Sequence, residues 1–211
     1  MLPMFKKRFP VARLLVLMAL ILLTGCVTKK SLVLSSPYFH PTSSQEPLNS
    51  PYRFGLVLNQ SIDMEIARFV TQQGGLTYDF EFRIGEDVRK TLPIYLNSFM
   101  DVVVVESFDE AKALNFVLDP KVTSSLFTYI GASAAPRYEL SIGLDVPVMK
   151  DGATQKRFLV KNNSHVEISA FQNTDKTRTE TMRLKYEEQI KVIYNELENQ
   201  LRNFLKSEKP G

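Results

Sequence analysis

The chain of 211 residues holds one cysteine and two histidines. These are too few soft ligands for a structural zinc or iron–sulfur site, and a lone cysteine makes no intramolecular disulfide. No G-x-S-x-G sequence occurs, so the turn that presents a hydrolase serine is missing. The apolar run at residues 14–23 stops at ten residues, whereas a helix crossing the bilayer core needs about 20. Acidic side chains are missing before residue 26, where Lys6, Lys7, Arg8 and Arg13 all lie. Setting those four aside from the 26 Lys and Arg leaves 22 against 23 Asp and Glu, which turns the net charge of +3 into −1. A nucleic-acid partner, which a basic surface would attract, is therefore not expected. What is present is ordinary: 44% apolar and 23% charged residues, a balance that supports one folded domain.

Lys6, Lys7 and Arg8 form a cationic start to the apolar run, and the run closes on Leu23, Thr24, Gly25 and Cys26. The order of charge, apolar stretch and small residues is that of an export signal. The last four residues resemble the lipobox of bacterial lipoproteins. That resemblance implies a diacylglycerol thioether on Cys26, removal of residues 1–25 and N-acylation of the new terminus. Two or three acyl chains, at about 0.8 kcal/mol per buried methylene, anchor a protein essentially permanently. By the sorting rule of enterobacterial lipoproteins, Val27 in place of an aspartate implies the outer membrane, with the protein facing the periplasm.

Residues 26–51 are expected to be a lipidated cysteine followed by a flexible tether. From Thr28 onward this stretch holds Pro37, Pro41, Pro47, Pro51 and six serines, a composition short of surface to bury. As a coil of about 24 residues it would span roughly 25 to 30 Å.

Residues 52–211 are expected to form a single α+β domain. Phe54, Leu56 and Leu58 suggest a first strand. Residues 61–73 suit either a helix or a strand, and the spacing of Ile62, Ile66 and Phe69 favours the helix. Residues 77–84 alternate as a half-buried strand. Val88, Leu92, Tyr95, Leu96 and Phe99 follow at helical spacing, with Glu86 and Asp87 complementing the helix dipole and Pro93 expected to kink the helix or restart it after Thr91. Residues 102–105, four valines, belong in the middle of a sheet. Ser107 with Glu110, and Thr177 with Glu180, have the spacing of capping boxes.

Residues 116–129, 138–148 and 158–170 predict an antiparallel meander turning at Asp151 and Gly152. Met182, Tyr186, Ile190, Ile193, Leu197, Leu201 and Phe204 form a helical stripe long enough to cover it. The expected architecture is a mainly antiparallel β-sheet packed on one face by a kinked helix and a long C-terminal helix.

Catalytic candidates are sparse. His40 falls in the tether, His165 falls at an outward strand position, and the Gly74 and Gly75 pair lacks the lysine of a phosphate-binding loop. Glu187 with Lys191 and Glu198 with Arg202 read as a solvated, salt-laced helix face. Phe127, Tyr129 and Ile130, beside the small-residue stretch 131–136, either meet a partner or lipid or close the end of the core. The expectation is a protein without catalysis, metal or cofactor, held to a membrane through Cys26 and working with an envelope protein. The order of lipobox, tether, strand, helix, strands and long final helix resembles the small periplasmic lipoproteins of the YajG and LptE type. That likeness implies an accessory in envelope assembly or transport. Activation of a peptidoglycan synthase, or binding of a lipid or glycolipid beneath the helices, remains open as an alternative.

Overall fold

The computed structural model of the protein describes residues 28–34, 39–58, 60–73, 76–130, 137–167 and 175–208. In chain order its elements are β1 (Thr28–Leu34), β2 (Phe54–Val57), a 3-10 turn (Gln60–Met64), β3 (Ala67–Gln73), β4 (Leu76–Phe82) and α1 (Ile84–Asn97). There follow β5 (Val102–Val105), a second 3-10 turn (Glu110–Ala113), β6 (Phe116–Leu118), β7 (Lys121–Ile130), β8 (Arg137–Lys150), β9 (Ala153–Glu167) and α2 (Asp175–Ser207). The protein is α+β, mostly sheet, with a long C-terminal helix.

The alternating sequence of β8 dictates its place at the centre. Tyr138, Leu140, Ile142, Leu144, Val146 and Val148 are each at most 1% exposed, and β7 and β9 pair with the strand antiparallel on its two edges. Asp151 and Gly152 both adopt positive φ, 51° and 76°, the twist that a two-residue hairpin turn requires. The full stripe of α2 from Met182 to Phe204 is buried over this meander. Gln189 Nε2 donates to the Leu140 carbonyl at 2.6 Å, and further along Phe204 packs edge-on against Phe116 and Phe158. Helix α1 runs alongside α2 in the same direction, since Thr91 meets Tyr194 and Tyr95 meets Glu198.

A parallel section extends the large sheet. β2 lies between β5 and β6, parallel to both, and all four of its residues are buried. The valine strand β5 is thus at the edge, with Val104 49% exposed, and not in mid-sheet. The crossover through α1 sets β5 on one side of β2, and the 3-10 turn at Glu110–Ala113 returns the chain to the other side.

The expected long strand over 116–129 is two strands on the same edge of β8. They part at Asp119 and Pro120, where Pro120 has no N–H to give the ladder and the Asp119 N–H turns to the Pro147 carbonyl at 3.3 Å.

Four further expectations are corrected. The helix favoured over 61–73 is a 3-10 turn followed by β3, because pairing with β4 along seven residues outweighs a weak local periodicity. No second helix begins after Thr91: α1 continues through Pro93, and Thr91 Oγ1 donates back to the Asp87 carbonyl at 2.7 Å. Neither capping box forms. Glu110 accepts from the Glu106 N–H at 3.1 Å and Ser107 caps nothing, while Thr177 lies inside α2 and Glu180 pairs with Arg183.

The fourth correction concerns the tether, which is docked. β1 pairs parallel with β4 over all seven of its residues, and β3 completes a three-stranded sheet on the far side of β4. Leu34 and Phe39 enter the core, and the Leu48 N–H donates to the Phe99 carbonyl at 2.7 Å. Composition argued for a loose segment, but Leu34 and Phe39 enter the core, Leu32 and Leu48 pack against it, and Ser43 and Gln45 bond to α2.

Asp79 on β4 ties both neighbouring strands. It accepts from Arg68 of β3 at 2.8 Å and meets Lys29 of β1 at 2.9 Å. Those two hydrogen bonds, Arg68 first, hold its carboxyl well below the ordinary aspartate range despite its burial. A lowered native pKa stabilises the fold above the unfolded-chain value and gives that stability up as pH falls. Asp79→Asn is expected to lower stability by about 1 to 2 kcal/mol and to speed amide exchange across β1. Unchanged exchange in β1 would show that Asp79 does not hold the strand.

Candidate functional site

Glycine at position 55 lets the chain that follows β5 pack directly against β2. A Cβ there would lie 3.0 Å from both the Ala111 Cβ and the Leu114 Cδ1, so the bare backbone lets the Glu110–Ala113 turn settle onto β2. Val57, Val105 and Ala111 then form a second small core on the sheet face opposite the helices.

Beside this core a cleft of about 490 Å³ opens next to the Asp151 turn. Ala111, Leu114, Val117 and Met149 supply its apolar lining, and Lys112 and Lys150 stand among the polar groups. Lys112 is paired with Asp109 at 2.8 Å, and the Lys150 ammonium lies 5.6 Å from the centre of the Phe116 ring. The size suits a small ligand or a few protruding side chains, and an apolar group next to a carboxylate would be the chemical match.

A polar junction fixes the docked N-terminal segment to both helices. Glu198 is 1% exposed. It accepts from Tyr95 at 2.6 Å, Ser43 at 2.7 Å and Arg202 Nε at 2.7 Å. Burial pushes its pKa up, but the bonds from Tyr95, Ser43 and Arg202 together outweigh that and leave it lowered. Arg202 also donates to the Glu46 carbonyl at 2.7 Å and lies over the Phe99 ring. The Glu198 and Arg202 pair is therefore an interior joint and not the solvated face its spacing suggests. Glu187 likewise pairs with Arg183, and Lys191 instead sits 5.4 Å from the centre of the Phe39 ring.

A recess of about 290 Å³ beside this junction is lined in part by His40, Lys191, Asn195 and Tyr95. Asp87 is buried at 4% exposure, which is more than a dipole partner requires. Burial, and after it the Asp87 carboxylate, holds the Tyr186 phenol well above its ordinary pKa. Glu86 pairs with Lys90.

The residues singled out from sequence are not brought to the cleft. His165 is exposed on β9 and pairs in register with Glu139. Phe127, Tyr129 and Ile130 lie on β7, in register with Leu140, Tyr138 and Arg137 at the other end of β8 from the Asp151 turn. Leu23, Thr24, Gly25 and Cys26, the Gly74 and Gly75 pair and the 131–136 loop are outside the described residues. Sequence reasoning missed Phe108, Leu114, Met149 and Lys150, all of which line the cleft. The signal that could have found them is the glycine at 55 in a strand otherwise built of large apolar residues. Among the described residues no cluster of His, Cys, Asp and Glu could hold a metal, and no helix is long and apolar enough to cross a membrane.

No family model and no curated protein sequence matches the chain. Among solved structures, the chain is similar to protein XCC0632 from Xanthomonas campestris, described with the family model DUF330. That superposition has TM-score 0.44 and 10% identity, and covers 80% of this chain and 91% of that one. It is also similar to a putative neuraminyllactose-binding hemagglutinin homolog from Helicobacter pylori, with TM-score 0.40 and 12% identity, covering 81% of this chain and 98% of that one. Neither likeness is high enough to assign a family.

Proposed function

We propose that the chain is a lipoprotein held in the outer membrane by acyl chains on Cys26, facing the periplasm and serving as a non-catalytic accessory in envelope assembly or transport. The observation that carries this reading is the sequence Leu23, Thr24, Gly25, Cys26 at the end of a ten-residue apolar run, two residues before β1 begins at Thr28. A domain that starts directly behind that cysteine is held where a membrane machine would meet it. The cleft beside Asp151 supports a protein partner, since its apolar lining and lysine groups suit a docking side chain.

The two alternatives draw less support. A synthase across the periplasm calls for reach, and the docking of residues 28–34 and 39–50 removes most of it. A lipid groove beneath the helices calls for space. Among the described residues that region is filled by rings in mutual contact, Phe82 on Tyr186 at 5.3 Å and Tyr95 on Tyr194 at 5.1 Å.

Cys26→Ala is expected to yield an unprocessed precursor that leaves the outer-membrane fraction while the domain still folds. Normal fractionation of this variant would defeat the anchor. Crosslinked membranes from wild-type cells are expected to give up an assembly or transport protein; recovery of synthases alone would favour the activator reading.

A further inference from the structure

The proposed anchor point and the first strand are almost contiguous. Only Val27 separates Cys26 from Thr28, and two residues of fully extended chain span at most about 7 Å. β1 is not loose at that point: Lys29 is bound to Asp79 at 2.9 Å, and Leu34 at the other end is 2% exposed. Thr28 stands in register with Leu76, and Leu76 with Gln73. The first residue of β1, the first of β4 and the last of β3 therefore share one end of the three-stranded sheet.

That end can be placed on the molecule. The Phe80 ring is 6.4 Å from the Tyr138 ring, and Leu76 is four residues back along the strand, about 13 Å at ordinary strand rise. From Tyr138 to the Asp151 turn, β8 runs about 44 Å. Allowing about 5 Å from each ring to its own backbone, the Leu76 end of β4 lies at least roughly 15 Å from the Asp151 turn whatever the tilt of β4.

Resting on the lipoprotein reading above, we infer that the domain does not swing on its anchor but stands on the bilayer by the Thr28, Gln73 and Leu76 end of the three-stranded sheet, with the Asp151 cleft held away from the membrane. The partner surface is the phospholipid headgroup layer into which the Cys26 chains insert. Charge does not hold the contact, because Lys29 is already engaged by Asp79. The shortness of the link holds it. The cleft then meets partners that project into the periplasm and not the surface of the same bilayer.

The test uses the full-length, acylated protein in vesicles of phosphatidylethanolamine and phosphatidylglycerol that contain a nitroxide-headgroup lipid. Gln73→Cys and Asp151→Cys, each carrying a fluorophore, report the two ends. Quenching several-fold stronger at 73 than at 151 is expected, and a Gly and Ser insertion of about 20 residues between Val27 and Thr28 should abolish the difference, since such a coil reaches roughly 25 Å. Equal quenching at both sites, or a difference that survives the insertion, overturns the orientation if the terminal peptide of the same sample has an acylated mass. An unmodified terminal mass overturns the lipoprotein reading and this inference with it.

Discussion

Gly85→Ala is expected to destabilise the fold by about 2 kcal/mol or more, read as a lower urea midpoint at unchanged slope. A Cβ at this position would fall 1.5 Å from the Ile62 carbonyl oxygen and 2.5 Å from its carbon. Those are backbone atoms of the Gln60–Met64 turn, which cannot swing aside as a side-chain tip can. The turn is fixed from several directions. Ile62 is buried, Arg89 bonds to Asp63 at 2.9 Å, and the Gly85 N–H donates to the Glu65 carbonyl at 3.0 Å. Alanine gains about 1 kcal/mol in helix propensity over glycine, so two effects compete. Overpacking in a well-filled site costs about 1 to 3 kcal/mol and occasionally more, and a clash with backbone belongs at the upper end. A net gain in stability for this variant would mean that the turn and α1 separate easily, and the close approach would lose its structural importance.

Glu198→Ala is expected to cost about 3 kcal/mol and to release residues 39–50 to proteolysis. Removing one member of a buried pair strands the other, and such changes fall at about 3 to 5 kcal/mol. Arg202 would keep only the Glu46 carbonyl and the Phe99 face, while Tyr95 and Ser43 would lose an acceptor. Glu198→Gln keeps one acceptor oxygen, for Ser43 and Arg202 or for Tyr95 but not for both sides, so it should lose less than the alanine and should flatten the acid side of the stability profile. The sign follows from the lowered native pKa. The glutamate's contribution is complete above the unfolded-chain value of 4.5 and disappears as pH falls through the native one. Equal acid sensitivity in wild type and Glu198→Gln would place the source elsewhere. Protection of residues 39–50 in Glu198→Ala would show that Leu34, Phe39 and Leu48 hold the segment without the junction.

Much of the framework is legible because its signals are strong and local. The α2 stripe keeps one spacing from Met182 to Phe204, and β8 alternates without a fault from Tyr138 to Val148, so neither needs a partner to be recognised. Asp151 and Gly152 announce their turn by residue type. Residues 61–73 fail for the opposite reason. Ile62, Ile66 and Phe69 fit a helical period while Ile62, Met64 and Ile66 fit that of a strand, and only a partner strand that comes later in the chain decides between them.

The N-terminal segment was misread because composition reports how much apolar surface a segment has and not whether a cavity awaits each piece of it. Glu198 was misread because a glutamate four residues before an arginine looks the same on a wet helix face and inside a joint. What distinguishes them is Tyr95 and Ser43, both distant in sequence. The cleft was invisible as such, since its lining comes from three elements that are separated along the chain and meet only through the sheet order.

The parallel pairing of β1 with β4 also determines how the molecule bears mechanical load. A pull entering at Thr28 and directed along β1 acts on all seven register pairs together, in shear, and does not peel them one after another. Resistance to forced opening is governed by the unfolding rate and not by equilibrium stability. A protein tugged elsewhere while Thr28 stays fixed would thus lose its grip by sliding an entire strand at once.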